Sequence, residues 1–452
     1  MRCYGVAVPR VRILRPVTVI LAGFSAALAT GTGLLMLPFA TVGDGSIGVL
    51  PALFTATSAL SVTGLVVLDT GGDFTLFGQL VILGLIQVGG LGIMVFTMLL
   101  GMLVARRAGL RFRRAVAHET RSSGFGGIRP VIVRIIGLTL VVEAVTAAIL
   151  VPRFRFGYDM DWAQAILFGV FHAISAFNNA GFGLHADSVV RYATDPLVIL
   201  PLALAVIIGG MGFPVLVELV RRYRFPLSWS LTTRIVVVLT PLLLLAGTVF
   251  IAVQEWRNPG TLGAHGTGGR ILAAFFQSTI ARTAGFNSID IAQMHPVSWF
   301  GLDILMFIGG GPAGTAGGVK VTTVAVLAAM TVSEVTGGRA VNLLGRRIDT
   351  AVHRQASTVI VLALALVLGA TMLIMLDEPQ WGLDRILFEA ISAFATVGLS
   401  TGITAELPAF SQVVLIVLMA VGRIGPVTLA SALALRRRHA SYALPEERPL
   451  IG

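Results

Sequence analysis

Two residue types that carry chemistry in many proteins are almost missing from this 452-residue sequence, which has one cysteine and one lysine. The single cysteine, Cys3, excludes a disulfide framework and any metal site built from cysteines. Charged residues are also scarce at 12%, whereas 56% of the residues are hydrophobic and the mean hydropathy is +0.89. A soluble core could not bury so much apolar surface, so the composition predicts an integral membrane protein.

Long apolar runs recur along the chain at the length of about 20 residues that a membrane-spanning helix needs. Between the two members of each successive pair lies a shorter apolar segment, too short to cross. The sequence therefore predicts four units, each made of a helix, a re-entrant loop and a helix. The eight predicted spans are 17–38, 77–104, 131–152, 196–220, 235–253, 299–330, 355–376 and 410–435, and the four re-entrant segments are 51–65, 163–182, 270–286 and 384–399.

Arginine is distributed unevenly between the segments that connect these runs. Residues 104–134 hold eight arginines against one acid, and 221–234 hold four arginines and no acid. Residues 40–75, on the other side, hold three aspartates and no base. Because short basic loops stay in the cytoplasm, both termini are predicted to be cytoplasmic and the re-entrant loops to enter from outside. The basic segments are expected to contact anionic membrane lipids and not nucleic acid, since no soluble basic domain is predicted.

This pattern divides the chain into pore repeats separated by cytoplasmic segments. The predicted boundaries are 1–16 for a basic N-terminus, 17–104 for repeat 1, 105–130 for a linker, 131–220 for repeat 2, 221–234 for a linker, 235–333 for repeat 3, 334–354 for a linker, 355–435 for repeat 4 and 436–452 for a tail.

One pattern, F-x3-[ST]-x5-G-[LF], occurs in all four short segments without a gap. Every copy runs in the same direction, so the repeats are parallel, whereas many secondary transporters use inverted repeats. The predicted fold class is an all-α integral membrane protein with four parallel repeats around a pseudo-four-fold central pore. The copies are Phe54, Ser58, Gly64 and Leu65; Phe171, Ser175, Gly181 and Phe182; Phe275, Thr279, Gly285 and Phe286; and Phe388, Ser392, Gly398 and Leu399.

The glycine of each copy of this pattern is a repeat glycine. Each repeat glycine and the three residues before it are candidates for one quarter of a selectivity filter. Glycine permits the positive φ values that turn successive carbonyls towards one axis, and carbonyl rings replace the hydration shell of a potassium ion. A single such glycine would be explained by helix packing, but four in one register favour a filter. The predicted K⁺-binding residues are Ser61, Val62, Thr63 and Gly64; Asn178, Asn179, Ala180 and Gly181; Arg282, Thr283, Ala284 and Gly285; and Ala395, Thr396, Val397 and Gly398.

A second glycine-rich stretch interrupts the sixth predicted span with GGGPAGTAGG, which has too many helix breakers for a continuous helix. It is either a gate beneath the filter or a static kink whose lysine extends to the membrane surface. The predicted gate residues are Gly309, Gly310, Gly311, Pro312, Ala313, Gly314, Thr315, Ala316, Gly317, Gly318, Lys320 and Arg423.

Arg423 lies within the last predicted span, where an arginine costs about 2.5–3.5 kcal/mol on insertion scales. It therefore needs either a place in the permeation path, as a positive barrier, or a buried acid such as Glu143 or Glu218. Glu143 is interpreted as packing against a polar partner. His172 is interpreted as a hydrogen-bonded structural residue.

The segments LFTATSALSVTGLVVLDT, FHAISAFNNAGF, STIARTAGFNSID and ISAFATVGLSTG resemble the pore loops of the Trk/Ktr/HKT superfamily of potassium transporters. The resemblance extends through GGGPAGTAGGVKVTT and VGRIGPVTLA to PEERPLIG, so it covers nearly the whole chain. It is strongest to the KtrB-type membrane subunits of bacterial Ktr systems, because larger Trk-type members usually carry extra N-terminal spans.

The resemblance implies inward K⁺ passage in a bacterial plasma membrane, with the gating loop at 309–318 and Arg423 helping to close the path. It implies a homodimer with one pore per protomer, controlled by a cytosolic KtrA-like ring of RCK subunits that binds ATP or ADP. Many members need Na⁺. No organic cofactor and no enzymatic activity are expected. Only Thr396, Val397 and Gly398 match the TVG core of potassium channels, which weakens the expectation of strict selectivity over Na⁺.

Two other classes of function fit the sequence less well. A secondary transporter of an organic or anionic solute would predict inverted repeats and polar pockets at the membrane midplane. An intramembrane enzyme would need a catalytic motif. H-E-x-x-H does not occur, and the one match to G-x-S-x-G, at 398–402, begins at the glycine of the fourth repeat copy, so it is better explained by the repeat.

Overall fold

The computed structural model describes residues 16–43, 45–107, 128–338 and 340–425, and these are almost entirely helical. The predicted N-terminal segment 1–16, the linker 105–130 and the tail 436–452 lie wholly or largely outside the described residues. The helices of the described residues are α1 (Pro16–Leu35), α2 (Val49–Ser61), α3 (Leu76–Arg107), α4 (Ile128–Gly157), α5 (Trp162–Asn178), α6 (Pro196–Met211), α7 (Phe213–Arg222), α8 (Leu231–Glu255), α9 (Thr267–Ile280), α10 (Pro296–Phe307), α11 (Val321–Val335), α12 (Thr350–Asp377), α13 (Leu383–Ala395) and α14 (Ala409–Ile424).

Helices occupy all eight predicted spans, but they are not eight straight rods. Among the described residues, three helices are long and apolar enough to cross a membrane, and they lie in α4, α8 and α12. The run 196–220 was predicted as one span but divides into α6 and α7, which meet at an angle of 100°. The bend falls at Gly212, which has a φ of +94° and is followed by Pro214 within the first turn of α7.

The helices pack in a closed circle. Three of the four short helices, α2, α5 and α13, lie between the two long helices that flank them in sequence, and α9 packs on α8. The outgoing helix of each unit also contacts the short helix of the next, in the pairs α3 with α5, α6 with α9, and α10 with α13. The final pair, α14 with α2, returns the chain to its first unit.

Apolar side chains face outwards and polar side chains face inwards. Val141 on α4, Leu245 on α8 and Leu368 on α12 are each about 60% exposed, whereas Thr63 and Asn178 near the centre are fully buried. This arrangement is typical of proteins whose outer surface meets lipid and whose polar groups are satisfied internally.

One segment departs from the all-α prediction. In the linker 334–354, β1 (Asn342–Leu343) and β2 (Arg346–Arg347) form an antiparallel hairpin. The turn residues Leu344 and Gly345 have φ values of +48° and +77°. Positive φ at both central residues is the pattern of a type I′ turn, whose twist suits a two-residue hairpin.

Candidate ion pathway

Each short helix ends in a backbone pattern that recurs in all four units. The repeat glycines Gly64, Gly181, Gly285 and Gly398 have φ values of +95°, +69°, +72° and +94°. The residue two positions earlier also has a positive φ in every unit, although none of these residues is glycine: Val62 (+57°), Asn179 (+59°), Thr283 (+78°) and Thr396 (+51°). The residue between them has an ordinary negative φ.

This alternation is costly and therefore informative. A positive φ is rare for β-branched residues such as Val62, Thr283 and Thr396, and backbone strain of this kind clusters at functional sites. Alternating the sign of φ turns consecutive carbonyls towards the same side of the chain. Each of the four segments can therefore present a short row of carbonyl oxygens.

The four segments meet in a ring. A Cβ atom added to Gly64 would collide with the carbonyl oxygen of Ala180, the residue before Gly181. The corresponding atom on Gly181 would lie 2.6 Å from the carbonyl oxygen of Ala284. The circle continues from Gly285 to the carbonyl of Val397 and closes from Gly398 to that of Thr63. At this level, therefore, each unit touches the next through a glycine and a carbonyl.

The serine of the sequence pattern supports the ring in two of the four units. The hydroxyl oxygen of Ser58 accepts a hydrogen bond from the Gly64 amide, and that of Ser392 accepts one from the Gly398 amide, both at 3.1 Å. Ser175 instead donates to the carbonyl of Phe182, at 2.9 Å. Thr279 donates to the carbonyl of Phe275 within its own helix, at 2.9 Å. The ring is thus pseudo-symmetric in its backbone but not in its side-chain contacts.

The short helices and the cavity on one side of the ring both favour a cation. The short helices point their C-terminal ends towards it, and a helix C-terminus carries partial negative charge. A cavity of about 340 Å³ lies on one side, lined by the four repeat glycines together with Asp69, Asp290 and Asn287. Carboxylates at the mouth of a cleft raise the local concentration of cations.

The glycine-rich segment 309–318 lies on the other side and is not helical. It is held by backbone hydrogen bonds to the end of α6, from the Gly311 amide to the Gly210 carbonyl at 2.8 Å and from the Thr315 amide to the Gly209 carbonyl at 3.2 Å. A Cβ on Gly317 would collide with the Thr396 hydroxyl of the fourth unit. The segment therefore packs directly against the ring, and no pattern in the sequence predicts α6 as its partner.

Arg423 contacts this segment and pairs with neither of the acids considered for it. Its guanidinium donates to the Thr315 carbonyl and, at 3.2 Å, to the Gly89 carbonyl. Glu143 instead accepts from Gln87 at 3.3 Å and from Asn178 at 3.2 Å, and the Glu218 carboxylate accepts from Ser230 and Thr233. The side chain of Arg423 is only 6% exposed, so its charge is held among carbonyl dipoles beneath the ring.

Two further cations lie close to the segment. Lys320 donates to the carbonyl of Ala316, so its ammonium group turns back into the glycine-rich segment. Arg282 belongs to the predicted filter, but its side chain donates to the Gly309 carbonyl at 3.2 Å. This bond links the third unit of the ring to the glycine-rich segment, and no spacing in the sequence signals it.

His172 behaves as a structural residue. Its Nδ1 lies 2.8 Å from the Phe168 carbonyl oxygen, and its ring stacks on Phe286 at 6.0 Å between centroids. It is buried and hydrogen-bonded within its own helix, in agreement with the interpretation as a structural residue.

Comparison with known protein families identifies the family of this chain. The TrkH family, described as a cation transport protein, matches residues 20–441. The chain belongs to the TrkH family of cation transport proteins. Membership of a transporter family agrees with the exposed apolar side chains and the buried polar side chains of the structure.

Full-length relatives and a solved structure agree with this assignment. The chain is 40% identical to "Ktr system potassium uptake protein B" of Vibrio alginolyticus, over 96% of this chain and 94% of the relative. It is 38% identical to the protein of the same name from Bacillus subtilis, over 93% of each, and 34% identical to "Potassium/sodium uptake protein NtpJ" of Enterococcus hirae, over 97% of this chain and 98% of the relative. The crystal structure of the potassium transporter TrkH from Vibrio parahaemolyticus has the same fold, with a TM-score of 0.72 at 17% identity, covering 94% of this chain and 86% of that one.

Proposed function

We propose that this chain is the ion-translocating membrane subunit of a bacterial potassium uptake system and passes K⁺ inward through a filter of backbone carbonyls. The observation that carries the proposal is the ring in which each repeat glycine meets the carbonyl of the next unit. Such a ring offers oxygen ligands without fixed negative charge, which is the arrangement that replaces the water shell of K⁺.

The four units then form a pseudo-four-fold pore. Its filter comprises residues 61–64, 178–181, 282–285 and 395–398, each following a short helix that enters from outside. The full-length relatives named for potassium uptake support K⁺ as the cargo. The relative named for both potassium and sodium supports Na⁺ as a second ion or a coupling ion.

The segment 309–318 is the gate in this proposal, and Arg423 holds it closed. The segment lies under the ring, and the carbonyl of Thr315 binds the Arg423 guanidinium. A positive charge at this level repels a cation that leaves the filter. Opening requires the segment to leave its bonds to α6 and Arg423, which a cytosolic partner would drive by binding the open state more tightly.

The relatives named as components of a Ktr system support partnership with other components of such a system. The protein works as a homodimer in a bacterial plasma membrane with both termini in the cytoplasm, and a cytosolic RCK-type ring that binds ATP or ADP sets the gate.

Tracer uptake by proteoliposomes tests the proposal. Purified protein in potassium-loaded vesicles should take up radioactive rubidium, and excess external K⁺ should compete while an organic cation such as choline should not. Vesicles containing the Gly398→Ser variant are the matched control and should take up less. Rubidium uptake equal to that of empty vesicles, from protein shown to be folded, would refute K⁺ transport.

Growth of an uptake-deficient bacterium on limiting potassium tests the cytosolic partner. The chain alone should support weak growth, and co-expression with an RCK-type subunit should lower the K⁺ concentration needed for half-maximal growth. Equal growth with and without that subunit would argue against nucleotide-dependent gating while leaving the pore proposal intact.

A further inference from the structure

A groove of about 630 Å³ opens on the outside of the protein between α8, α11 and the β-hairpin. Its walls are aliphatic along most of their length, with Val238 and Leu239 on α8 and Val324 on α11. Polar groups lie at the hairpin end, at Thr336 and Asn342. The volume falls within the range of about 300–1,000 Å³ that is typical of sites for organic ligands. Its ligand should therefore be apolar along its length and polar at one end.

Two arginines lie beside the polar end, on the second strand of the hairpin. Arg346 and Arg347 on β2 lie directly opposite Leu343 and Asn342 on β1, and both of those residues line the groove. Both arginines are exposed, and neither pairs with an acid in the described part of the chain. Of the nearby acids, Asp349 caps α12 by accepting from the Ala351 amide at 2.8 Å.

Arg234 on α8 adds a third guanidinium and fixes the hairpin in place. It donates to the carbonyl of Leu344 at 3.4 Å and to that of Leu227 at 2.5 Å. Its Nε is buried and has no hydrogen-bond partner among the described residues. Arg234 therefore adds a positive charge next to the hairpin, and its terminal nitrogens hold the hairpin and not a ligand.

We propose that this groove binds an anionic phospholipid, with an acyl chain between α8 and α11 and the phosphate beside the hairpin that carries Arg346 and Arg347. Basic pockets between membrane helices on the cytoplasmic side suit such headgroups. The inference rests on the proposed membrane orientation, which puts the hairpin on the cytoplasmic side. A second copy of the chain could also cover the groove. A two-fold axis through this face would bring the arginines of the two copies together, and their repulsion favours a lipid as the occupant.

The inner end of the groove connects the lipid to the proposed gate. Ile308 and Val321 line it, and they flank the glycine-rich segment on both sides. Ile308 also forms a parallel backbone bridge to Val319. An acyl chain in the groove would therefore touch both ends of segment 309–318 and hold α11 at its present distance from α8.

Native mass spectrometry of the purified full-length protein with phosphatidylglycerol or phosphatidylcholine tests the proposal. The double variant Arg346→Gln/Arg347→Gln should lose phosphatidylglycerol affinity by about thirtyfold, because each arginine near the membrane contributes roughly a factor of five. Its phosphatidylcholine affinity should change little. The control Arg222→Gln/Arg224→Gln removes the same charge from the same face of the protein, outside the groove, and should retain phosphatidylglycerol binding.

A second variant tests the apolar part. Ala328→Trp fills the groove and should weaken binding of both lipids while leaving the melting temperature close to that of the parent. Unchanged phosphatidylglycerol affinity in Arg346→Gln/Arg347→Gln, or an equal loss in the control, would overturn the proposal. A change of oligomeric state in Ala328→Trp without loss of lipid would show that a second copy covers the groove. Lipid binding is read without ion flux, so a protein that binds the lipid but fails to transport refutes only the proposed function.

Discussion

At the scale of single residues, the repeat glycines are restricted in two independent ways. Their φ values are positive, which disfavours any side chain, and their Cβ positions are occupied by a carbonyl of the neighbouring unit. Gly43 shares only the first restriction, since it has a φ of +114° and nothing lies within 4 Å of its Cβ position. The chain therefore offers a control that separates backbone strain from contact across the ring.

Gly398→Ser should lower the preference for K⁺ over Na⁺ while the protein still reaches the membrane. The Ser Cβ would collide with the Thr63 carbonyl and push that oxygen out of the ring, in addition to a backbone cost of about 1–3 kcal/mol. Gly43→Ser carries the backbone cost alone and should keep the preference. Competition of Na⁺ and K⁺ with rubidium uptake measures it. An unchanged preference in serine variants of all four repeat glycines would eliminate the filter hypothesis.

At the scale of elements, the glycine-rich segment between α10 and α11 is not helical, so a change in its position would not unfold a helix. Its backbone bonds run to the end of α6, and three arginine or lysine side chains, Arg282, Lys320 and Arg423, bind its carbonyls. Charge-assisted bonds of this kind contribute about 1.5–3 kcal/mol each. The position of the segment therefore depends on a few side chains that can be changed singly.

Arg423→Gln should raise cation flux several-fold and weaken its dependence on a cytosolic regulator. The substitution removes the positive charge beneath the ring and the charge-assisted bond to Thr315, so the segment leaves its closed position more often. Arg423→Lys keeps the charge and should keep much of the barrier. Tracer flux at matched membrane abundance measures both. A fall in flux that is equal in the Gln and Lys variants would mean that Arg423 is needed for structure and not for closing the path.

The sequence predicted the elements better than their contacts. The short helices end within a few residues of their predicted limits, as Val49–Ser61 does against 51–65, because apolar runs and glycines act locally. The break at 309–318 was predicted for the same reason. The bond from Arg282 to Gly309 and the partners of Arg423 were not, since they depend on residues brought together from distant parts of the chain. The bend at Gly212 was also missed, although the helix breakers Gly212 and Pro214 are local.

At the scale of the whole molecule, four similar units form a closed circle that is not truly symmetric. The backbone pattern recurs in every unit, but a hydroxyl holds the repeat glycine only in the first and fourth. The carbonyls of the first and fourth units should therefore be held more rigidly than those of the second and third. Substitutions in the four units should therefore change the selectivity of the ring for K⁺ over Na⁺ to different extents.

Ser392→Ala and Thr279→Ser test this inequality at equivalent positions of the repeat. Ser392→Ala leaves the partly buried Gly398 amide without its hydroxyl acceptor, a loss of about 1 kcal/mol, and should let that quarter relax towards smaller ions. Thr279→Ser keeps the hydroxyl and its bond to the Phe275 carbonyl, so it should change selectivity little. Thr279→Ala should have a smaller effect than Ser392→Ala, because no backbone amide of the ring loses a hydrogen-bond partner. The ratio of rubidium to sodium uptake by each variant in proteoliposomes distinguishes the outcomes. Equal losses in Ser392→Ala and Thr279→Ala would mean that the ring responds as a symmetric whole, and the hydroxyl support would then have no special part in selectivity.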